Sequence, residues 1–327
     1  MTRVRPAGGR AAARRVAAAR PYMFLAPAAA FALAFFGYPL VTGVKLSLES
    51  ASSLQGGPFV GIGNYTSVLS SGTFDKALLN NTEFFAGSVL VLTPVAFLLA
   101  LCLYSKRSVL RGGVRLLLLL PLSTSTVVVA IIFSQLYNGR YGLYDYWLGK
   151  IGLPQINWLT SPDVVMVALI VLAMWGFTGL NVAFFLAGLH SVPPEEIEAA
   201  RLDGAGWWRV VHSVILPHLR GIGLFVLIQA VVGSYQLFAR PDVLTGGGPE
   251  NASFTVVYYV YQEALQNFNL GASAAAGLIL MLVIMLLSGL ALVVTSVEFH
   301  WLRYDSRALK EGGSRRAAAK STESHSR

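Results

Sequence analysis

The residues with the most chemistry to offer lie between positions 191 and 221, in SVPPEEIEAARLDGAGWWRVVHSVILPHLRG. Pro193 and Pro194 suit the first turn of a helix, where a missing N–H costs nothing. Glu195, Glu196 and Glu198 then sit at the positive end of that helix's dipole. Ala199 and Ala200 are small helix formers, Gly204 and Gly206 close the helix, and Trp207 to Ile215 supports a second one stopped by Pro217. A helix, a glycine turn and another helix with small residues between them let a second protein approach closely. Another set of residues is polar or aromatic yet stands in apolar sequence: Trp175, Thr178 and Asn181, then Gln229, Ser234, Tyr235 and Gln236. Stacking rings and paired amides or hydroxyls suit a pocket for a small polar solute. The same amides also join helices inside a bilayer, so both readings stand. Catalysis finds little support. The chain has no phosphate-cradling glycine loop followed by lysine and a hydroxyl residue. His190, His212, His218 and His300 lack a metal-ligand partner spacing, so no metal site is expected.

These residues must be positioned by membrane helices. Of 327 residues, 55% are hydrophobic and only 13% charged, with a mean hydropathy of +0.60. Soluble domains carry about 25% charged residues, so the apolar excess here faces lipid. Six runs reach the roughly 20 residues that a helix needs to cross the hydrocarbon: Tyr22–Val44, Phe84–Tyr104, Leu116–Leu136, Val164–Leu189, Gly221–Ala239 and Ala272–Val297. None holds Asp, Glu, Lys or Arg, which disfavours an ion-coupled carrier, since such carriers commonly keep ionisable groups in mid-span. Pro27, Pro39, Pro94 and Pro121 lie in or beside the runs, where membrane helices accept kinks. The first run is longer than a signal-peptide core and is expected to be retained. Cys102, the single cysteine, falls in an apolar run and predicts neither a disulfide nor a metal cluster.

The net charge of +9 is arranged by side. Arg-rich sequence precedes the first run, and Lys106, Arg107, Arg111 and Arg115 follow the second. Arg201, Arg209 and Arg220 follow the fourth, and a basic tail follows the sixth. The opposite side holds only Lys45, Lys76, Arg140, Lys150 and Arg240. Basic loops stay in the cytoplasm, so both termini are expected there. Trp147, Trp158, Trp301, Tyr137 and Tyr304 fall near run ends, where aromatic rings favour the interface. The expected organisation is an all-α integral membrane protein. Residues 1–20 and 306–327 form basic tails without apolar periodicity, expected to be disordered. Residues 21–305 form the six-helix domain, with its cytoplasmic loop at about 190–220.

Glu198-Ala199-Ala200, Gly204, Val214 and Leu216-Pro217 resemble the EAA loop of binding-protein-dependent ABC permeases, with Val214 in place of the usual isoleucine. Asp203 belongs to the same stretch. The resemblance spans about residues 21–299. FVGIGNY (Phe59–Tyr65), INWLTSP (Ile156–Pro162), FFLAGLHSVP (Phe184–Pro193), LTGGGP (Leu244–Pro249) and YVYQEALQNFNLGASAA (Tyr259–Ala275) look like the carbohydrate-uptake branch, in the partner similar to the maltose importer's first permease. Ala239 departs from the acidic residue often found after the phenylalanine, and the maltose protein's large periplasmic insertion is absent. The resemblance implies a type I importer permease fold in the bacterial cytoplasmic membrane. It also implies a coupling helix (Glu198, Ala199, Ala200, Asp203, Gly204, Leu216, Pro217) that docks on an ATPase. The implied partners are a second homologous permease subunit, two ATPase subunits and an extracytoplasmic solute-binding protein. ATP and Mg would be bound by the ATPase chains, with no cofactor on this one and no nucleic acid. The implied cargo is a di- or oligosaccharide, with glycerol-phosphate compounds as the alternative. A secondary transporter, or a receptor or scaffold, would need no such ATPase.

Overall fold

Proline sets the winding of the long helices. Its ring removes one backbone hydrogen bond and clashes with the carbonyl four residues earlier. In three places the chain answers by widening into a π-helical turn that ends two residues before the proline: Leu33–Gly37 before Pro39, Ser88–Leu92 before Pro94, and Val211–Ile215 before Pro217. The bond shifts one residue further back, as where the Tyr38 and Leu216 amides donate to the carbonyls of Leu33 and Val211.

The computed structural model describes residues 23–104 and 111–295. The basic tails, Lys106 and Arg107, the end of the sixth run at Val297, and His300, Trp301 and Tyr304 lie outside the described residues. The helices in chain order begin with α1 (Met23–Ser47), α2 (Gly63–Leu69), α3 (Gly72–Tyr104), α4 (Gly112–Ser123), α5 (Thr126–Leu136) and α6 (Leu143–Lys150). There follow α7 (Pro162–His190), α8 (Pro194–Leu202), α9 (Trp207–His218) and α10 (Arg220–Tyr235). The last are α11 (Ala239–Thr245), α12 (Val256–Tyr261) and α13 (Leu270–Thr295). Outside helices, the described residues hold one isolated bridge, between Glu49 and Phe59. Four helices, α1, α3, α7 and α13, are long and apolar enough to cross a membrane, and up to six spans result if each of two bent pairs counts as one.

Those bends correct the hydropathy reading. The run Leu116–Leu136 is not one helix, because α4 and α5 meet at 103°. Pro121 cannot continue the hydrogen-bond ladder, and the hydroxyls of Ser123 and Thr124 take the carbonyls of Leu120 and Pro121 at 3.0 and 2.7 Å. The run Gly221–Ala239 ends as a helix at Tyr235, and α10 joins α9 through a 70° bend. The second run begins twelve residues early, at Gly72 rather than Phe84. Its first turns carry Asp75, Lys76, Asn80, Asn81 and Glu83, which lower hydropathy without stopping a helix.

The chain divides into two units. The first comprises the chain up to Val68 with Glu263–Leu278. Here Asn64 of the FVGIGNY stretch donates to the carbonyls of Ser47 and Glu49 at 2.8 and 2.9 Å, holding the turn after α1. Ser47 Oγ and the Tyr65 hydroxyl pair at 2.8 Å beside it. The Gly271 amide donates to the Ala51 carbonyl, and Asn269 Oδ1 accepts from the Ala272 amide to start α13.

The second unit comprises Leu69–Gln262 and the chain from Ile279. Its central helix is α7, which starts at Ser161-Pro162 with the proline in its first turn. One core joins α5, α11 and the first half of α7 through Phe133, Leu169, Leu172 and Leu244. The other joins the end of α3, the second half of α7, and α8 and α9. Ala96 and Ala100, fully buried and one turn apart, let α3 approach α7 closely. At Gly179 the backbone of α4 lies so near that an added Cβ would fall inside the contact distance of the Leu118 carbonyl.

Candidate functional site

The loop after α7 folds as a helix stopped by a left-handed glycine. Glu195 and Glu196 occupy the first turn of α8, at the positive end of its dipole. At the other end the Gly204 amide donates to Arg201 and the Ala205 amide to Ala200, each at 3.0 Å. This pair of bonds is the Schellman arrangement, and it requires positive φ at the residue after the cap. Gly204 supplies it, with φ +80°. The spacing from Ala200 to Gly204 is therefore the spacing of a helix stop.

One side of α8 is anchored and the other is free. Ile197 is buried among Leu186 and Leu189 of α7 and Val210, Val211 and Ile215 of α9. Glu198, Ala199, Leu202, Asp203 and Gly204 are exposed, Leu202 to 89%. An apolar side chain that exposed on a short rigid helix suits contact with another protein. Trp207 and Trp208 extend the same exposed apolar character, with the Arg201 guanidinium 5.8 Å from the Trp207 ring centroid. His218 and Glu196 stand 3.5 Å apart and tie α9 to α8. Leu216 is exposed and Pro217 half-buried, so this end of α9 borders the same surface. The His190 ring meets Tyr104 edge-on at 5.6 Å, and its Nδ1 and that of His218 pair with backbone carbonyls. Among the described residues no group of three His, Cys, Asp or Glu side chains is placed to hold a metal.

The seven polar and aromatic residues named from the apolar runs separate into two groups. Thr178 is buried and donates to the Met174 carbonyl within α7. Tyr235 is buried, and its hydroxyl pairs with Thr82 of α3 at 2.9 Å. Ser234 is buried, and its carbonyl accepts from Asn81. Ser234 and Tyr235 join α10 to α3, whereas Thr178 bonds back onto its own helix. Gln229 and Gln236 are exposed on α10 and at its end, Asn181 is half-buried, and Trp175 is 45% exposed with its ring 5.7 Å from Phe133. These four keep part of their surface exposed.

Several structural residues were missed by hydropathy. Asn81 is fully buried; it donates to the Ser234 carbonyl at 2.6 Å and accepts from the Val256 amide at 2.9 Å. Asn80 donates to the carbonyls of Asn251 and Phe254, and Thr255 donates to Leu237. Together they strap the break after α10 to α3. The polar run Asn80-Asn81-Thr82, just ahead of an apolar run, was the available signal. In the INWLTSP stretch, Trp158 Nε1 and the Ile156 amide both donate to the buried Asp145 at 3.1 and 3.2 Å. Burial pushes the nearby Tyr144 hydroxyl above its ordinary pKa. In the LTGGGP stretch, Thr245 Oγ1 and Ser253 Oγ pair at 2.6 Å and close the turn after α11.

Comparison with known proteins agrees with this geometry. The family described as "Binding-protein-dependent transport system inner membrane component" matches residues 93–296. The chain is 36% identical, over 84% of its length and 88% of the relative's, to the "Arabinooligosaccharides transport system permease protein AraP" of Bacillus subtilis (strain 168). It is 32% identical, over 81% of its length and 90% of the relative's, to the "sn-glycerol-3-phosphate transport system permease protein UgpA" of Rhizobium meliloti (strain 1021). In fold it resembles a chain of a bacterial ABC transporter for import of the acidic polysaccharide alginate. That match has a TM-score of 0.76 and 23% identity, and covers 86% of this chain and 98% of that one. The chain belongs to the family of inner membrane components of binding-protein-dependent transport systems.

Proposed function

We propose that this chain is a permease subunit that moves an oligosaccharide into the cytoplasm through an ATP-driven, binding-protein-dependent importer. The observation that carries the reading is α8: a glycine-stopped helix with Leu202 outward, mounted by Ile197 on the core formed by α3 and α7. Force applied by an ATPase to such a helix reaches the membrane helices through close-packed side chains, which transmit displacement because they compress little. Relatives named for arabino-oligosaccharide transport support the sugar cargo. Relatives named for sn-glycerol-3-phosphate transport keep that solute as the second reading. In this reading residues 21–305 form six spans, with each bent pair serving as one. Both termini and the coupling loop lie in the cytoplasm. The partners are a homologous second permease, two ATPase subunits that bind ATP and Mg, and a solute-binding protein outside the membrane.

The solute would be held by Trp175, Asn181, Gln229 and Gln236, the members of the candidate set not spent on internal bonds. The test is uptake by the reconstituted complex from a panel of labelled di- and oligosaccharides and glycerol 3-phosphate. Asn181→Ala and Gln236→Ala are expected to raise KM about two- to tenfold, the loss of one net hydrogen bond each. Complex assembly stays intact in both. An unchanged KM in both variants would assign these amides to helix contacts instead. Topology is checked separately. Accessibility tags at Met1, Ser108 and Arg327 are expected to report the cytoplasm, and tags at Ser71, Gly149 and Gly248 the outer side. A C-terminal tag on the outer side would remove one bent pair from the count of spans.

A further inference from the structure

Arg240 is the buried cation that the permease reading leaves without a task. It lies in α11 and is 7% exposed. Its guanidinium carbon stands 4.6 Å from the Phe177 ring centroid, and one Nη is 3.5 Å from where a Cβ on Gly176 would sit. Nε has no hydrogen-bond partner. Among the described residues the ion pairs are Lys45–Glu49 and His218–Glu196, so Asp242, the nearest acid in sequence, does not neutralise Arg240. Stacking on a ring face stabilises a cation only modestly compared with a carboxylate. A buried guanidinium without an anion is costly, and removing the partner of a buried pair is strongly destabilising.

Its position gives that cost a meaning. Gly176 is the fifteenth of the 29 residues of α7, so Arg240 lies beside the middle of a long apolar helix. Charges at such depth mark solute pathways. Around it are surfaces that suit a sugar ring: Phe177 and Trp175 are partly exposed, and Asn181 is one turn beyond Phe177 on the same helix. The guanidinium fork matches a carboxylate or phosphate in a way that a neutral hydroxyl cannot.

We infer that Arg240 is the recognition site for an oxyanion on the transported solute, a carboxylate or phosphate group carried past the middle of α7. This rests on the permease reading and narrows its cargo to acidic solutes, such as uronic-acid oligosaccharides or a sugar-alcohol phosphate. The test uses the reconstituted complex with three labelled solutes: a neutral oligosaccharide, a size-matched uronic-acid oligosaccharide and glycerol 3-phosphate. The wild type is expected to take up at least one acidic solute in preference to the neutral one, and which one identifies the oxyanion. Arg240→Gln is expected to raise KM for that solute about tenfold to a hundredfold, the loss of a charge-assisted hydrogen bond, with neutral uptake within twofold. Arg240→Lys keeps the charge without the fork and falls between. If Arg240→Gln fails to assemble, Arg240→Lys and the wild-type preference decide. Neutral uptake with no acidic uptake would overturn the inference and leave the permease reading standing. An equal loss for acidic and neutral solutes would assign Arg240 to an ion pair with the second permease subunit and overturn it as well. Absence of ATP-driven uptake for all three would remove both readings.

Discussion

Replacing Gly204 with Trp is expected to lower ATP-driven uptake by about a hundredfold or more, equivalent to losing about 2.7 kcal/mol of coupling contact. The chain should still insert and accumulate in the membrane. Two physical effects combine at this position. Gly204 has φ +80°, where an L side chain costs about 1–2 kcal/mol. An added Cβ meets nothing within 4 Å inside the chain, so an indole would project outward beside Leu202 and Asp203. The fold therefore tolerates the volume, and a docked ATPase does not. Gly204→Asn separates the two effects, because Asn accepts the left-handed turn and adds only a short side chain. It should retain an intermediate rate. Uptake, membrane abundance and co-purified ATPase are measured together. Wild-type uptake by Gly204→Trp would withdraw the docking role from this loop.

The largest effect on folding is expected at Gly179. Its Cα hydrogens face the backbone of α4, and a Cβ there would strike the Leu118 carbonyl and approach the Leu119 amide at 3.3 Å. Neither is the movable end of a flexible side chain, so α4 and α7 must separate. Overpacking of this kind costs about 3 kcal/mol, and small residues are what permit helices to approach this closely in a bilayer. Gly179→Ala should sharply reduce the folded yield and lower the detergent melting temperature. Gly223→Ala serves as the control, since a Cβ there meets nothing within 4 Å. It should match or slightly exceed the wild type in stability, Ala being the better helix former by about 1 kcal/mol. Equal stability of the two alanine variants would mean that α4 and α7 are not in contact at Leu118.

The features legible in the sequence are those set by a residue and its near neighbours. Apolar runs free of charge predict helices in lipid, because the backbone must satisfy itself locally there. The alanines and Gly204 of the loop predict a helix and its stop, since the Schellman bonds span only a few residues. The prolines mark where winding changes, because the clash is with a carbonyl four residues away. Other features depend on residues far apart in the chain. The angle between α4 and α5 was hidden, since hydropathy counts how apolar a run is and not its direction. Nothing within the run 221–239 indicates that Ser234 and Tyr235 are occupied, because their partners Asn81 and Thr82 lie 153 residues earlier. Arg240 reads as a loop cation in the sequence, and only the packing of α11 against α7 buries it over Phe177. A polar side chain joins helices or faces a solute according to which neighbour occupies its side of the helix, and that neighbour comes from distant sequence. The helices and the loop stop were therefore decided locally. The division of the polar residues between scaffold and solute was decided by tertiary packing.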